Sequence, residues 1–397
     1  MKALRNYIDK IKPNFEEGGK LAMFRSVFEG FETFLFVPNT RKKLGTHIND
    51  SNDSKRFMSF VVIALMPALL FGMYNVGYQH FLAIGQEAGF WKEFWFGCLA
   101  VLPKVVVSYV VGLGIEFTVA QWKKEEIQEG FLVSGMIIPL IVPVDCPLWI
   151  IAVATAFAVI FAKEVFGGTG YNIFNVALIA RAFMFFAYPS AMSGESVFVR
   201  TRDAFWWGAG EAVDGFSGAT PLGQLASSEV PVFNDILGSA IGFKEAFIGL
   251  IPGSIGETSV IAILLGGCFL LFTGVASWKT MLSIFVGGGL TAYLFNISGL
   301  NTAVAQLPWY NHLVLGGFCF GAVFMATDPV TSARTEIGKY IYGFLIGMMA
   351  IVIRVLNPGY PEGMMLAILL MNMFAPLIDH CVVQCNVSKR KNRVNSK

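Results

Sequence analysis

The chain has 397 residues, of which 55% are hydrophobic and 14% charged, and its formal net charge is +2. A water-soluble domain carries roughly 25% charged residues, so most of this surface is expected to face lipid. So small a net charge excludes nucleic acid as an expected partner and leaves the placement of the positive charges as the informative quantity.

Residues 1–56 read as a basic arm, without the apolar core of a signal peptide in the first twenty positions. Within the arm Leu21, Phe24, Phe28, Phe31 and Leu35 recur at helical spacing, with Arg25, Glu29 and Glu32 between them. This is the pattern of an amphipathic helix lying on a membrane surface, against a neighbouring protein of a complex, or simply docked on the chain itself. Five apolar spans follow at about 57–78, 94–118, 130–144, 148–163 and 172–190. A long segment, 191–257, separates them from five more at about 258–276, 280–297, 311–326, 339–356 and 363–379. Each is near the length that crosses a hydrocarbon layer. The third and eighth are short, a mark of broken helices around a site.

The arm carries eleven basic residues, and the tail, 381–397, holds Lys389, Arg390, Lys391, Arg393 and Lys397. The positive-inside rule places both ends in the cytoplasm, and an even number of spans permits that. Counting onward, the 191–257 segment falls on the outer face. A weak internal repeat runs through the chain. Gly167-Gly168-Thr169-Gly170-Tyr171 precedes an apolar run ending Phe186-Ala187-Tyr188-Pro189, and Asn357-Pro358-Gly359-Tyr360-Pro361-Glu362-Gly363 precedes one ending Phe374-Ala375-Pro376. With five spans per half, the halves are inverted. The expected fold is therefore an all-α polytopic membrane protein of about ten transmembrane helices. It has a cytoplasmic arm (1–56), two inverted five-helix repeats (57–190 and 258–380), an outer loop (191–257) and a basic tail (381–397).

The six cysteines form no CxxC pair and the four histidines no HExxH, so no zinc site and no chain-held iron–sulfur cluster is expected. The outer loop reads Asp214-Gly215-Phe216-Ser217-Gly218-Ala219-Thr220-Pro221-Leu222. Gly218 and Ala219 remove bulk beside a hydroxyl, and Pro221 disfavours the helical region for Thr220. The result is an uncrowded secondary alcohol on an extended backbone. From composition alone a plain turn is the simpler reading.

Ser217-Gly218-Ala219-Thr220-Pro221-Leu222 matches the S/D-G-A-T-x-L motif at which a flavin transferase joins FMN to threonine through a phosphoester. Around it, Lys163-Glu164-Val165-Phe166-Gly167-Gly168-Thr169-Gly170, Ile251-Pro252-Gly253-Ser254-Ile255-Gly256-Glu257, Phe324-Met325-Ala326-Thr327-Asp328-Pro329 and the Asn357–Ala367 stretch stand in the order of one family. Over nearly its whole length the chain resembles the NqrB/RnfD family, the NqrB members of which are membrane subunits of sodium-translocating NADH:quinone reductases (Na⁺-NQR). The resemblance implies covalent FMN on Thr220, with Ser217, Gly218, Ala219 and Leu222 completing the motif, and a riboflavin held without a covalent bond. It implies electrons arriving from the FMN of NqrC and leaving to ubiquinone or menaquinone, coupled to Na⁺ export. NADH, FAD and iron–sulfur chemistry then belong to the other Nqr proteins of the complex, among NqrA, NqrC, NqrD, NqrE and NqrF. The implied setting is the bacterial inner membrane, with the Thr220 loop periplasmic.

Ionisable residues in spans are costly and are functional suspects. Lys163, Glu164, Arg181, Asp328, Arg354, Glu362 and Asp379 qualify. Asp328 and Asp379 each end an apolar run, and they match family positions implicated in sodium uptake or transit. Glu29 and Glu129 match acidic family positions as well. A helix-end cap or a structural ion pair is the alternative for each aspartate. Arg181 and Arg354 can pair with carboxylates or hold a flavin or quinone oxygen. Two rival readings remain: an RnfD-type protein of a complex coupling ferredoxin to NAD, and a solute channel without redox chemistry.

Overall fold

The computed structural model describes residues 2–15, 28, 32, 36, 54–123, 130–204, 213 and 216–395. The expected amphipathic helix around residues 21–35 lies outside them apart from Phe28 and Glu32, and Glu29 and Glu129 lie outside them too. Of the arm, α1 (Lys2–Ile11) is helical, and Glu32 holds both Arg5 and Lys12, at 3.2 and 2.9 Å.

The described residues form helices and no strands. The first half comprises α2 (Ser54–Ala83), α3 (Phe90–Lys123), α4 (Phe131–Leu140), α5 (Leu148–Ala158) and α6 (Val176–Ala187). Three short helices of the connecting segments are α7 (Pro221–Ser227) and α8 (Phe243–Ile248), and later α11 (Ala303–Gln306). The second half begins with α9 (Val260–Phe272) and α10 (Trp278–Ser298). It continues through a broken element, α12 (Trp309–Val314), α13 (Phe318–Phe320) and a π turn at Gly321–Met325, into α14 (Glu336–Leu356) and α15 (Met364–Asn395).

Six described helices are long and apolar enough to cross a membrane, and Phe131–Leu140, Val176–Ala187 and Val260–Phe272 are shorter apolar helices. With the broken element they make ten apolar segments, five in each half. A helix of twelve residues spans about 18 Å, short of the roughly 30 Å of a hydrocarbon core. Non-helical backbone must therefore complete the short crossings. The chain begins α6 and α9 with side-chain caps, Asn175 on the N–H groups of Ala177 and Leu178, and Ser259 on that of Ala262.

Packing repeats between the halves. The second helix of each set packs on the third and fourth, and the fourth packs on the fifth. The first helices, α2 and α9, also pack on each other, as do the fifth, α6 and α15. The all-α polytopic fold is thus the observed one. The 191–257 segment is not wholly outside the bundle, because its last residues are drawn in: Ile251, Ile255 and Glu257 are all buried.

Close approach is set by glycine where α10 crosses α14. A Cβ on Gly287 would lie 2.3 Å from the Phe344 carbonyl oxygen, and one on Gly347 would lie 2.1 Å from that of Ile284. The neighbouring Gly289 has ordinary room, its nearest neighbour being Trp309 at 3.6 Å. Gly287→Ala and Gly347→Ala should each lower stability by about 1–3 kcal/mol in chemical denaturation of the detergent-solubilised chain. Gly289→Ala should stay within about 0.5 kcal/mol, and an equal loss at Gly289 would refute the interlock.

Candidate functional site

The motif loop lies on the bundle rather than free of it. Gly218 runs against the 195–199 segment so closely that a Cβ would meet the Glu195 carbonyl oxygen at 2.4 Å. The Ser217 N–H donates to the Ile236 carbonyl at 3.3 Å. Thr220 is extended, φ −63° and ψ 153°, as Pro221 dictates. It also caps α7: its Oγ1 accepts the Gly223 N–H at 3.1 Å, with Pro221 in the first helical position. Gln224 braces the turn. Its Nε2 donates to the Ala219 and Asn234 carbonyls at 3.1 and 3.0 Å, and its Oε1 accepts the Asn234 N–H at 2.8 Å. Thr220 is half-buried, whereas Leu222 is only 1% exposed. The Leu222 δ-methyl sits 2.1 Å from where a Cβ on Gly316 would stand, and α11 packs against α7.

Gly316 belongs to the break in the eighth span. Gly316 and Gly317 have φ +66° and +67°, a left-handed conformation that favours glycine. The break frees carbonyls inside the bundle, and Arg354 from α14 takes them. Its Nη1 donates to His312 O at 2.6 Å and its Nη2 to Leu315 O and Glu362 O, each at 3.1 Å. The third span is resolved differently. The chain leaves α4 at Leu140, and the inserted Ile251–Glu257 segment pairs with it: Gly256 N–H donates to Leu140 O at 2.7 Å and Ile255 N–H to Val142 O at 3.3 Å.

A buried ion cluster lies where these breaks meet. Arg181 from α6 donates to Glu257 at 2.5 Å and also binds Glu362. Arg181 and Glu257 side chains are 7% and 6% exposed. Arg181 thus pairs with carboxylates, while Arg354 serves backbone carbonyls.

On the opposite end of the bundle a pocket is lined by apolar walls from Phe57, Val133 and Phe324 and by Ser134, Asn172, Asn175, Lys163 and Asp328. Lys163 closes the π turn Val159–Lys163 and is paired with Glu116 of α3. The Gly167-Gly168-Thr169-Gly170 run breaks the helix beside it, with φ of +114°, +97° and +94° at the three glycines, and Thr169 faces the pocket. Asp328 accepts from Val330 N–H and Thr331 Oγ1, each at 3.1 Å, and from Asn175 Nδ2 at 3.4 Å. Asp379 does not join it. That carboxylate binds the Arg334 N–H at 2.8 Å, the Thr335 N–H at 2.9 Å and the Thr335 hydroxyl at 2.6 Å, which ties α15 to the turn before α14.

Several buried charged residues among the described ones were not singled out from the sequence, Glu93, Lys104, Glu116 and Glu257 among them. Glu116 and Lys104 stand inside the second apolar span, so the rule for intramembrane charge could have found them. Lys104 donates to the Cys146 carbonyl at 2.5 Å. Glu257 stands at the boundary of the expected loop, where no local signal marks insertion into the bundle.

The chain is 44% identical to the B protein of the Na(+)-translocating NADH-quinone reductase of Ectopseudomonas mendocina, over 98% of this chain and 99% of that protein. It is 43% identical to proteins of the same name from Chromohalobacter salexigens, over 98% of this chain and 96% of the relative, and from Neisseria meningitidis, over 99% of both. The model of the NQR2, RnfD, RnfE family matches residues 42–388. A match over most of the chain, carried by relatives that align nearly end to end, makes this protein a member of the NQR2, RnfD, RnfE family.

Proposed function

We propose that the chain is the flavin-bearing membrane component of a sodium-translocating NADH:quinone reductase. The carrying observation is the 44% identity across 98% of the chain with a protein of that name. The family also includes RnfD, but the relatives described above all bear the quinone-reductase name, which favours that member. In this reading the chain takes electrons from the FMN of NqrC, delivers them to ubiquinone or menaquinone and couples the transfer to Na⁺ export. It does so beside NqrA, NqrD, NqrE and NqrF in the bacterial inner membrane, with both termini cytoplasmic and Thr220 periplasmic.

FMN is attached at the hydroxyl of Thr220, a half-buried residue whose oxygen accepts one hydrogen bond in the docked loop. Bound flavin supplies both one- and two-electron redox chemistry, joining iron–sulfur donors to a quinone. Gly218 and Gln224 brace the attachment residue within the connecting segment, and Leu222 seats it against Gly316. The pocket at Lys163, Asn175 and Asp328 suits a non-covalent riboflavin: Phe57, Val133 and Phe324 would supply apolar contact to its ring, and Ser134 and Asn172 would supply hydrogen-bonding groups. The sodium path uses carboxylate oxygens, a hard-cation ligand type. Asp328, at the pocket, is the better placed of the two described aspartates. Asp379 is committed to a turn, and Glu29 and Glu129 complete the proposed set from outside the described residues.

The intact mass of the chain matured with its flavin transferase should exceed the bare sequence by one flavin phosphate, carried on the Thr220 peptide. Thr220→Val should have the bare mass and remain folded, with a stability loss no larger than that of a missing cap on α7, about 1 kcal/mol. A bare mass for the parent chain refutes the flavin assignment. Asp379→Ala should lower stability by about 1–2 kcal/mol, as loss of a cap does, with the Na⁺ dependence of turnover unchanged. Asp328→Asn should raise the Na⁺ concentration needed for half-maximal turnover, and a swap of these two outcomes would exchange the roles.

A further inference from the structure

We propose that the flavin transferase reaches Thr220 only while α7 is lifted from the bundle, so that loop docking follows flavinylation and closes the finished site. The inference rests on Thr220 being the attachment residue.

The motif is turned inward when the loop is docked. Leu222, its one large apolar side chain, is 1% exposed and lodged against Gly316, and Pro221 is buried as well. An enzyme that recognises the motif needs the groups on both sides of Thr220, and in the docked loop those groups contact the bundle instead. The hydroxyl oxygen is itself engaged, accepting the Gly223 N–H at the start of α7.

The transfer requires room on the same oxygen. Thr220 Oγ1 attacks the flavin-side phosphorus of a flavin dinucleotide. The Oγ1–P bond forms, the pyrophosphate P–O bond breaks, and a nucleoside monophosphate leaves. The hydroxyl proton passes to a base on the transferase, and no electrons change hands. Attack in line with the leaving group needs the face of Oγ1 opposite its Cβ clear of protein.

Lifting the loop breaks no span. The docking contacts include the Leu222 methyl at Gly316, the buried Leu225, the approach of Gly218 to Glu195, the two Gln224 hydrogen bonds to Asn234, the Ser217 N–H bond and the packing of α7 on α11. The ten apolar segments can stay packed while these contacts open. Re-docking then fixes the modified threonine against the break in the eighth span.

The test uses the full chain made without the transferase, purified in detergent and then given transferase and flavin dinucleotide. Covalent flavin is followed by in-gel fluorescence. Two variants loosen docking while leaving the six motif residues themselves unchanged. Gly316→Ala places a methyl where the Leu222 side chain sits, and Gln224→Ala removes the two hydrogen bonds that tie α7 to Asn234, along with the one to Ala219. In the parent chain the attachment rate should level off as transferase is increased, because loop opening becomes limiting. Each variant should raise that plateau by about five-fold or more. Gly316→Ala also puts alanine at a positive φ, so the unfolding midpoint is read for both, and Gln224→Ala carries the test if Gly316→Ala fails to fold. Equal rates in parent and variants, with no plateau, would overturn the proposal. A parent chain that gains no flavin at any transferase concentration would overturn the attachment reading instead.

Discussion

Backbone that stops being helical inside an apolar bundle has no water to turn to, and each unsatisfied peptide group costs several kcal/mol. The third and eighth segments break in this way, and the architecture around them follows from how their peptide groups are satisfied. In the eighth span the guanidinium of Arg354 reaches the His312 and Leu315 carbonyls and that of Glu362. One buried side chain thereby fixes the break and the turn that leads into α15. In the third span the partner is backbone, the inserted 254–256 stretch lying beside Leu140–Val142.

The inserted segment has a second task. Its final residue, Glu257, supplies one of the two carboxylates on Arg181, and Glu362 supplies the other. Burying one of these charges alone would be strongly unfavourable, and the group persists because each member is paired and hydrogen-bonded. Glu257 also lies against Gly317, where a Cβ would stand 2.7 Å from its carboxyl carbon. Both broken spans therefore converge on a single cluster, joined to it through backbone and charge.

The motif loop is seated on the same ground. Leu222 and an Arg354 nitrogen both approach Gly316, the latter at 3.2 Å from the place of a Cβ. The motif loop and the buried charge network share this one glycine as a neighbour. At the other end of the bundle, both π turns border the pocket, through Lys163 and through Phe324. A π turn shifts the register of the side chains that follow it, and such turns are frequent at functional sites.

Local properties were legible in the sequence. Apolar runs located all ten segments, the short third and eighth runs marked the two breaks, and Pro221 determined the extended backbone at Thr220. These follow from composition, length and the stereochemistry of adjacent residues, which do not depend on the rest of the chain. Partnership was not legible. Asp328 and Asp379 are the same residue type at the ends of apolar runs, yet one faces a pocket and the other ties down the turn at Thr335. Glu257 read as the edge of a loop, since Pro252 and Gly253 close before it are loop residues in any local view. Arg181 meets its carboxylates across 76 and 181 residues of chain, and Lys163 meets Glu116 across 47. Which buried charge satisfies which, and that Leu222 points into the bundle, were decided by the tertiary structure alone, because satisfying a buried polar group or filling the space beside a glycine depends on segments that only folding brings together.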